Sequence, residues 1–170
     1  MLNKPTVTLI YLSLLLSAAI FGFFYAWICS TMWGLDATDP RIAIEAMQAM
    51  NGSVRNAVFA PAFFGTPIAL GVTAFMLRRA RCNKSSLLFS LSAGIYLFFG
   101  LILTMAINVP MNEALGALSV PQDINHAREI WVEYSGPWQF WNQTRAVASG
   151  ISFLFAVAGV LTLSRRPHPN

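Results

Sequence analysis

Acidic side chains are missing from most of this chain. All seven Asp and Glu residues lie in residues 36–58 and 109–145, and the other polar segments carry only positive charge. The basic residues of those other segments are Lys4, Arg78, Arg79, Arg81, Lys84, Arg165 and Arg166. An excess of Lys and Arg in short loops marks the cytoplasmic side of a membrane protein. The pattern therefore predicts that both termini are cytoplasmic and both acidic stretches extracytoplasmic.

Charge of either sign is scarce. Charged residues make up 11% of the 170 residues and hydrophobic ones 56%, with a mean hydropathy of +0.57. This is too little polar surface for a soluble domain, so we predict a multi-pass protein of the cell membrane. The net charge of +4 does not indicate a nucleic-acid partner, because the basic residues cluster at the ends of hydrophobic runs. The expected partner is the lipid bilayer, with its anionic headgroups.

Cysteine and histidine are also rare, with two of each. The predicted topology places Cys29 and His126 outside, and Cys82 and His168 inside. Cysteines on opposite sides of a bilayer cannot come within the roughly 7 Å between Cα atoms that a disulfide needs. The split also leaves no Cys/His cluster for zinc, copper or haem, so we predict neither cofactor nor metal. A metal held by extracytoplasmic carboxylates stays an alternative.

Four hydrophobic runs are long enough to cross a bilayer. They cover about residues 7–30, 59–77, 87–109 and 146–163. Each is near the ~20 residues that a spanning helix needs, and none alternates like a barrel strand. We therefore predict an all-α fold, with residues 1–170 forming a single domain. Its expected architecture is a four-transmembrane-helix bundle with two extracytoplasmic loops and a retained first span.

The first extracytoplasmic loop is predicted to contain a short amphipathic helix. Asp39 followed by Pro40 is typical of a helix start. In the residues that follow, Glu45, Gln48, Asn51 and Arg55 recur three or four positions apart on one face. The simplest interpretation is a helix lying in the membrane interface with its polar face in water. The alternative is a helix that contributes this face to a binding site.

Polar residues also recur at the outer end of the third span. Thr104, Asn108 and Asn112 are four residues apart, so they share one face if the helix continues through Pro110. The simplest interpretation is hydrogen bonding between helices, with the helix ending at Pro110.

A polar and aromatic stripe enters the fourth span from the same side. It consists of Trp138, Asn142, Arg145, Ser149 and Ser152, spaced by four, three, four and three. Tryptophan is common at membrane interfaces, but an arginine beside amides and followed by serines is expected to point into the bundle. We expect the guanidinium of Arg145 to form an ion pair with a carboxylate. The available extracytoplasmic glutamates are Glu45, Glu113 and Glu133.

Residues along nearly the whole chain match the sequence pattern of a known family. They are Gly22 through Trp27, Met32, Gly34 and Leu35, then Met47, Gln48, Asn51, Arg55, Asn56 and Phe59, then Val109 through Asn112, and finally Trp138, Trp141, Asn142, Thr144 and Arg145. In these residues the chain resembles the anthrone oxygenase-like family of small four-helix membrane proteins, long described as a domain of unknown function. The runs 109–112 and 141–145 are the most specific. Trp33 departs from the pattern, because a proline is expected there.

The resemblance implies a four-helix fold and, from its named members, conversion of anthrones to anthraquinones. The enolate of an anthrone reacts with dioxygen without metal or flavin, so an enzyme needs only an apolar pocket, a base and oxyanion stabilisers. Dioxygen is then a co-substrate and no cofactor binds. The catalytic residues on this hypothesis are Glu45 or Glu133 as the base, with Arg145 and Asn142. The substrate-binding residues are Gln48, Asn51, Arg55, Asn108, Asn112, Trp138 and Trp141.

A non-catalytic function is the alternative, since a shared fold does not carry a substrate with it. The same polar residues would then form a static hydrogen-bond network that closes the bundle. As a further alternative, they would form a cup that binds a quinone, a lipid or another membrane protein. The sequence leaves the enzymatic and the non-enzymatic function both open, and it leaves the oligomeric state open as well.

Overall fold

Five helices account for most of residues 2–164, which are the residues described by the computed structural model. They are α1 (Lys4–Asp36), α2 (Pro40–Ser53), α3 (Phe59–Arg79), α4 (Asn83–Gly116) and α5 (Ile124–Ser164). No β-strand occurs within these residues, so the predicted all-α class is confirmed. Four helices, α1, α3, α4 and α5, are long and apolar enough to cross a membrane. The predicted tail residues Arg165, Arg166 and His168 lie outside the described part of the chain.

Capping and proline fix where the first two helices begin. The Asn3 side chain accepts a hydrogen bond from the Thr6 backbone N–H at 3.0 Å, and Pro5 occupies the first turn of α1. Asp39 caps α2 in the same way, accepting from the Arg41 backbone N–H at 2.9 Å. Hydrogen bonds from Arg41 lower the pKa of the Asp39 carboxyl to about 2. Asp39 therefore remains an anionic cap at every pH at which the protein would ordinarily be studied.

The four long helices form a ring in the order α1, α3, α4, α5, with α5 returning to α1. Close approach of α4 and α5 depends on a glycine, because a Cβ at Gly159 would lie 2.8 Å from the Phe89 ring. One end of the bundle carries Asn3 and the turn Ala80–Cys82, and we call it the basic end. The other carries α2 and residues 117–123, and we call it the acidic end. The core includes apolar clusters at both ends.

The acidic end differs from the predicted pair of extended loops. A helix occupies the predicted amphipathic segment of the first loop, with Ile44 and Met47 buried. The second loop, however, is mostly helix, because α4 continues to Gly116 and α5 starts at Ile124. At 1.5 Å per residue the 41 residues of α5 measure about 60 Å, twice the thickness of the hydrocarbon core. Both helices therefore project past the predicted spans and carry polar residues in the projecting parts.

Asp36 ties the projecting end of α1 to α5. Its carboxylate accepts hydrogen bonds from Trp131 Nε1 at 2.9 Å, Ser135 Oγ at 2.7 Å and Gln139 Nε2 at 2.8 Å. The three donors are four residues apart, so they present one face of α5 to the carboxylate. This contact fixes the position of α1 against the part of α5 that leads to Trp138 and Arg145.

Wider turns interrupt α1 and α4 near the acidic end. Residues 27–31, 96–102 and 104–108 have π-helical hydrogen bonding, in which the N–H of Val109, for example, donates to the carbonyl of Thr104. Such turns let α4 continue through Pro110, which has no N–H to donate. The helix therefore does not end at Pro110, contrary to the simplest expectation.

A tyrosine compensates for a second proline. Pro67 lies inside α3 and cannot donate to the carbonyl of Phe63, four residues earlier. The Tyr96 hydroxyl of α4 donates to this carbonyl at 3.0 Å, within the buried interior. The bond joins α3 to α4 in the interior of the bundle.

We expect Tyr96→Phe to lower the free energy of unfolding by about 1–2 kcal/mol, because the buried Phe63 carbonyl loses its donor. Thermal unfolding of the purified protein in detergent measures the change. Tyr11→Phe is the matched control, since Tyr11 lies exposed on α1. Equal melting temperatures for the two variants would contradict this account of the Pro67 turn.

Candidate functional site

A cavity of about 590 Å³ opens at the acidic end. This volume lies within the usual range for small-molecule sites, which is roughly 300–1,000 Å³. Its walls are mainly aromatic and aliphatic, and all five helices contribute. The aromatic lining residues are Phe23, Phe24, Trp27, Phe59, Phe63, Phe64 and Trp138. The polar and charged ones are Asn51, Arg55, Asn56, Thr104, Asn112, Glu113 and Arg145.

The guanidinium of Arg145 forms part of the inner wall. The residue is only 5% exposed. Its Nε donates to Asn142 Oδ1 at 3.0 Å, and its Nη1 donates to Thr104 Oγ1 at 3.2 Å. The guanidinium carbon lies 4.5 Å from the centre of the Phe24 ring and 5.2 Å from that of Trp138. The cation is therefore held by neutral dipoles and aromatic faces.

No carboxylate of residues 2–164 lies within ion-pair distance of Arg145. The expectation that this arginine points into the bundle agrees with its burial, but the expectation of a carboxylate partner is wrong. The reason is geometric: the three candidate glutamates lie on exposed surfaces, while Arg145 faces Thr104 of α4. A buried cation with only neutral partners is unusual inside a membrane protein, where such groups commonly pair or mark a ligand path.

Two residues hold the guanidinium in place. Asn142 is buried, and its Nδ2 donates to the Phe24 carbonyl at 3.2 Å while its oxygen accepts from Arg145. Thr104 donates its hydroxyl to the Gly100 carbonyl at 2.6 Å, which turns its oxygen toward Arg145 as an acceptor. Asn142 does not line the cavity, so its contact with Arg145 makes it a positioning residue.

Asn112 organises the aromatic wall nearby. Its Oδ1 accepts from Trp138 Nε1 and from the Tyr134 hydroxyl, both at 2.8 Å. Tyr134 in turn accepts a longer bond of 3.5 Å from Asn51 Nδ2. The indole of Trp138 also packs 5.0 Å from that of Trp27, between ring centres. Contacts from α1, α4 and, through Tyr134, α2 thus fix the orientation of Trp138 at the cavity wall.

An ion pair stands at the rim. Arg55 Nη2 lies 3.0 Å from Glu113 Oε1, and both side chains are more than half exposed. Exposed pairs of this kind contribute little to stability, on the order of 0–1 kcal/mol. Glu113 is the carboxylate that lines the cavity among the residues described.

The structure thus brings five of the predicted site residues to one cavity: Asn51, Arg55, Asn112, Trp138 and Arg145. Asn142 lies directly behind them. The two predicted bases do not join this group. Glu45 is exposed on α2, and Glu133 is exposed on α5 in a shallow surface hollow beside Arg128.

Three further predicted residues also lie away from the cavity lining. Gln48 Nε2 donates to the carbonyls of Leu115 and Leu118, at 2.8 and 3.0 Å, and so caps the end of α4. Asn108 is fully buried, and its amide has no hydrogen-bond partner among the described residues. Trp141 is half-buried and packs its ring 5.1 Å from that of Phe140.

Sequence reasoning missed most of the aromatic lining. Phe23 and Phe24 lie in the run 22–27 that carried the resemblance, and Phe59 also belongs to the matching set, which was the available signal. Phe63 and Phe64 carried no such signal, because a phenylalanine within a predicted span is ordinarily expected to face lipid. Within residues 2–164, no three His, Cys, Asp or Glu side chains come together as a metal site would require.

The fold and this site define a class: a multi-pass four-helix membrane protein with a ligand-sized aromatic cavity and a buried arginine at one end. The comparison with protein families agrees. A family model described as anthrone oxygenase matches residues 53–155, more than half of the chain. The chain belongs to this family, and the resemblance read from the sequence is confirmed. No curated protein and no solved structure matches the chain. The matched range includes Asn112, Glu113 and Arg145.

Proposed function

We propose that this protein is a cofactor-independent oxygenase that converts an anthrone-type phenolic compound to the quinone. The single observation that carries the proposal is the buried Arg145 guanidinium, which faces an aromatic cavity without a carboxylate partner. A site of this kind is complementary to a flat aromatic molecule on which negative charge develops at one oxygen.

Electrostatics explains why an oxyanion suits this cavity. Burial removes water from the guanidinium, and Asn142 and Thr104 compensate only with dipoles. A ligand oxygen that becomes negative beside Arg145 would complete the pairing in a region of low dielectric constant. The stabilisation is greater for the anion than for the neutral ligand, which is the condition for lowering a reaction barrier.

The chemistry of an anthrone fits the two ends of the cavity. Its carbonyl and its methylene lie opposite each other on the central ring. With the carbonyl oxygen at Arg145, the methylene points away from the inner wall and toward the rim, where Glu113 lines the cavity. Loss of a methylene proton to Glu113 places the negative charge on the oxygen at Arg145. The aromatic walls, Trp138 among them, bind the rings by contact and stacking.

The proposed steps balance with dioxygen as the only oxidant. The enolate transfers an electron to dioxygen, and the radical pair combines to form a carbon–oxygen bond at the former methylene carbon. The resulting peroxide anion takes a proton and becomes a hydroperoxide. Removal of the remaining proton on that carbon forms the new carbonyl as the oxygen–oxygen bond breaks, and the hydroxide released becomes water. One oxygen atom enters the quinone and the other leaves as water.

We also propose that the basic end faces the cytoplasm, so that the cavity opens on the extracytoplasmic side. The described basic residues of that end are Lys4, Arg78, Arg79, Arg81 and Lys84. All the acidic residues lie at the other end, and Lys and Arg in short loops are retained on the cytoplasmic side.

The test is to incubate the purified, reconstituted protein with anthrone under ¹⁸O-dioxygen and to record oxygen uptake and quinone mass. We expect quinone formation well above the spontaneous rate, with one ¹⁸O atom in each quinone. Heat-denatured protein gives the background rate. Arg128 is exposed on α5, the helix that carries Arg145, so Arg128→Ala should keep the full rate. Anthrone or quinone binding with no rate above background would refute the oxygenase and indicate a quinone-binding protein instead.

A further inference from the structure

The cavity has a side opening as well as a rim. Phe64 of α3 and Met105 of α4 both line the cavity, and 48% and 46% of their surfaces are exposed. A residue that belongs to an internal wall and to the outer surface marks the edge of an opening. These two residues belong to neighbouring helices in the ring, so the opening lies between α3 and α4.

The packing of the two helices explains the opening. α3 packs closely against residues 83–102 of α4, and the Tyr96 hydroxyl of α4 donates to the Phe63 carbonyl of α3. α3 makes at most marginal backbone contact with residues 104–108 of α4, which lie beyond the level at which α3 begins. The same residues of α4 form a π-helical turn, which is wider than an α-helical one.

The opening lies at the depth of the hydrocarbon. Phe64 is five residues from the start of α3, or about 8 Å along the helix. Met105 lies four residues before the end of the third hydrophobic run, and its neighbour Ile102 on the same helix is an exposed apolar residue. Contact of such an apolar surface with an apolar solute dissolved in the bilayer is more favourable than its contact with water.

We infer that the ligand enters the cavity sideways from the bilayer, through the gap between Phe64 and Met105. This inference rests on the proposed function and specifies its substrate class: a polycyclic aromatic that partitions into lipid and carries its polar oxygen at one end. The polar end slides inward to Arg145, while the apolar rings remain between the phenylalanines of α1 and α3. Entry through the rim would instead require the ligand to cross the Arg55–Glu113 pair from water.

The test uses spin labels, so it does not depend on turnover. Met105→Cys and Ile102→Cys are made separately in a background of Cys29→Ser and Cys82→Ser, labelled with a nitroxide and reconstituted in liposomes. Both labels should collide often with dioxygen and rarely with a water-soluble nickel chelate, as lipid-facing sites do. Adding anthraquinone should then slow the label at position 105 and leave the label at position 102 unchanged.

Two results would overturn the inference. Frequent nickel collisions at position 105 would mean that the gap opens to water. An unchanged label at 105, while anthraquinone binds by an independent titration, would mean that the ligand takes another path. A complete lack of anthraquinone and anthrone binding is a separate result, because it removes the proposed function itself along with the entry route.

A kinetic variant gives a second measure. Met105→Trp narrows the gap without touching Arg145, and slower entry should lower kcat/KM for anthrone by roughly tenfold while kcat changes less. Ile102→Trp is the matched control and should leave both constants unchanged, because Ile102 is also exposed on α4 but does not line the cavity. An equal effect of the two tryptophans would contradict side entry.

Discussion

Arg145→Met is expected to abolish most oxygenase activity and to leave the protein at least as stable as the wild type. Methionine fills much of the same volume without charge. The variant loses the cation that stabilises the developing oxyanion, and removal of one such group lowers kcat by roughly 10²–10³-fold. Steady-state oxygen uptake with anthrone measures the loss.

The stability part of this prediction follows from the missing carboxylate. Removing one member of a buried ion pair strands the other and is strongly destabilising, but Arg145 has no such partner among the described residues. Thr104 keeps its bond to the Gly100 carbonyl, and Asn142 keeps its bond to Phe24. The Asn142 and Thr104 oxygens each lose the donor that Arg145 supplied, at a cost of about 1 kcal/mol apiece, and relief of the buried charge offsets this cost.

Thermal unfolding in detergent checks this second part, with Arg128→Met as the control. Arg128 lies exposed on the same helix, so that variant should match the wild type in both activity and melting temperature. If Arg145→Met melts several degrees below the control, then Arg145 is a structural residue of the bundle. Its loss of activity would then say nothing about oxyanion binding.

The four spans followed from the sequence because lipid imposes a simple rule. A run of about 20 apolar residues between polar segments has to be a helix, whatever it packs against. The full lengths of α4 and α5 did not follow, because past the bilayer a polar segment is free to be loop or helix. Contacts such as the three bonds to Asp36 extend α5 outward, and those bonds join residues about 100 positions apart in the chain.

The candidate site was predictable in part for a similar reason. Trp138, Asn142 and Arg145 lie on one face of one helix, so their spacing alone brought them together. The choice of carboxylate was not predictable, because Glu45, Glu113 and Glu133 all lie in segments predicted to be extracytoplasmic, and the sequence does not show where each side chain points. Because α4 continues through Pro110, it carries Glu113 to the cavity rim, and for this reason we propose Glu113 as the base.

We expect Glu113→Gln to lower oxygenase activity strongly as well. The amide has nearly the same shape as the carboxylate and can still contact Arg55, but it cannot take a proton from the substrate methylene. Loss of a general base lowers kcat by roughly 10²–10⁴-fold. Stability should stay within about 0.5 kcal/mol, because the pair with Arg55 is exposed to solvent.

The matched controls are Glu45→Gln and Glu133→Gln, which change the two bases expected from the sequence. Both side chains are exposed and lie away from the cavity, so both variants should retain the wild-type rate. A solvent-exchange experiment separates binding from proton transfer: incubated without dioxygen in D₂O, wild-type protein should speed deuterium uptake at the methylene of anthrone. Glu113→Gln should bind anthrone and lose this exchange. If Glu133→Gln or Glu45→Gln loses it instead, the proton leaves by the outer surface and the assignment of Glu113 is wrong.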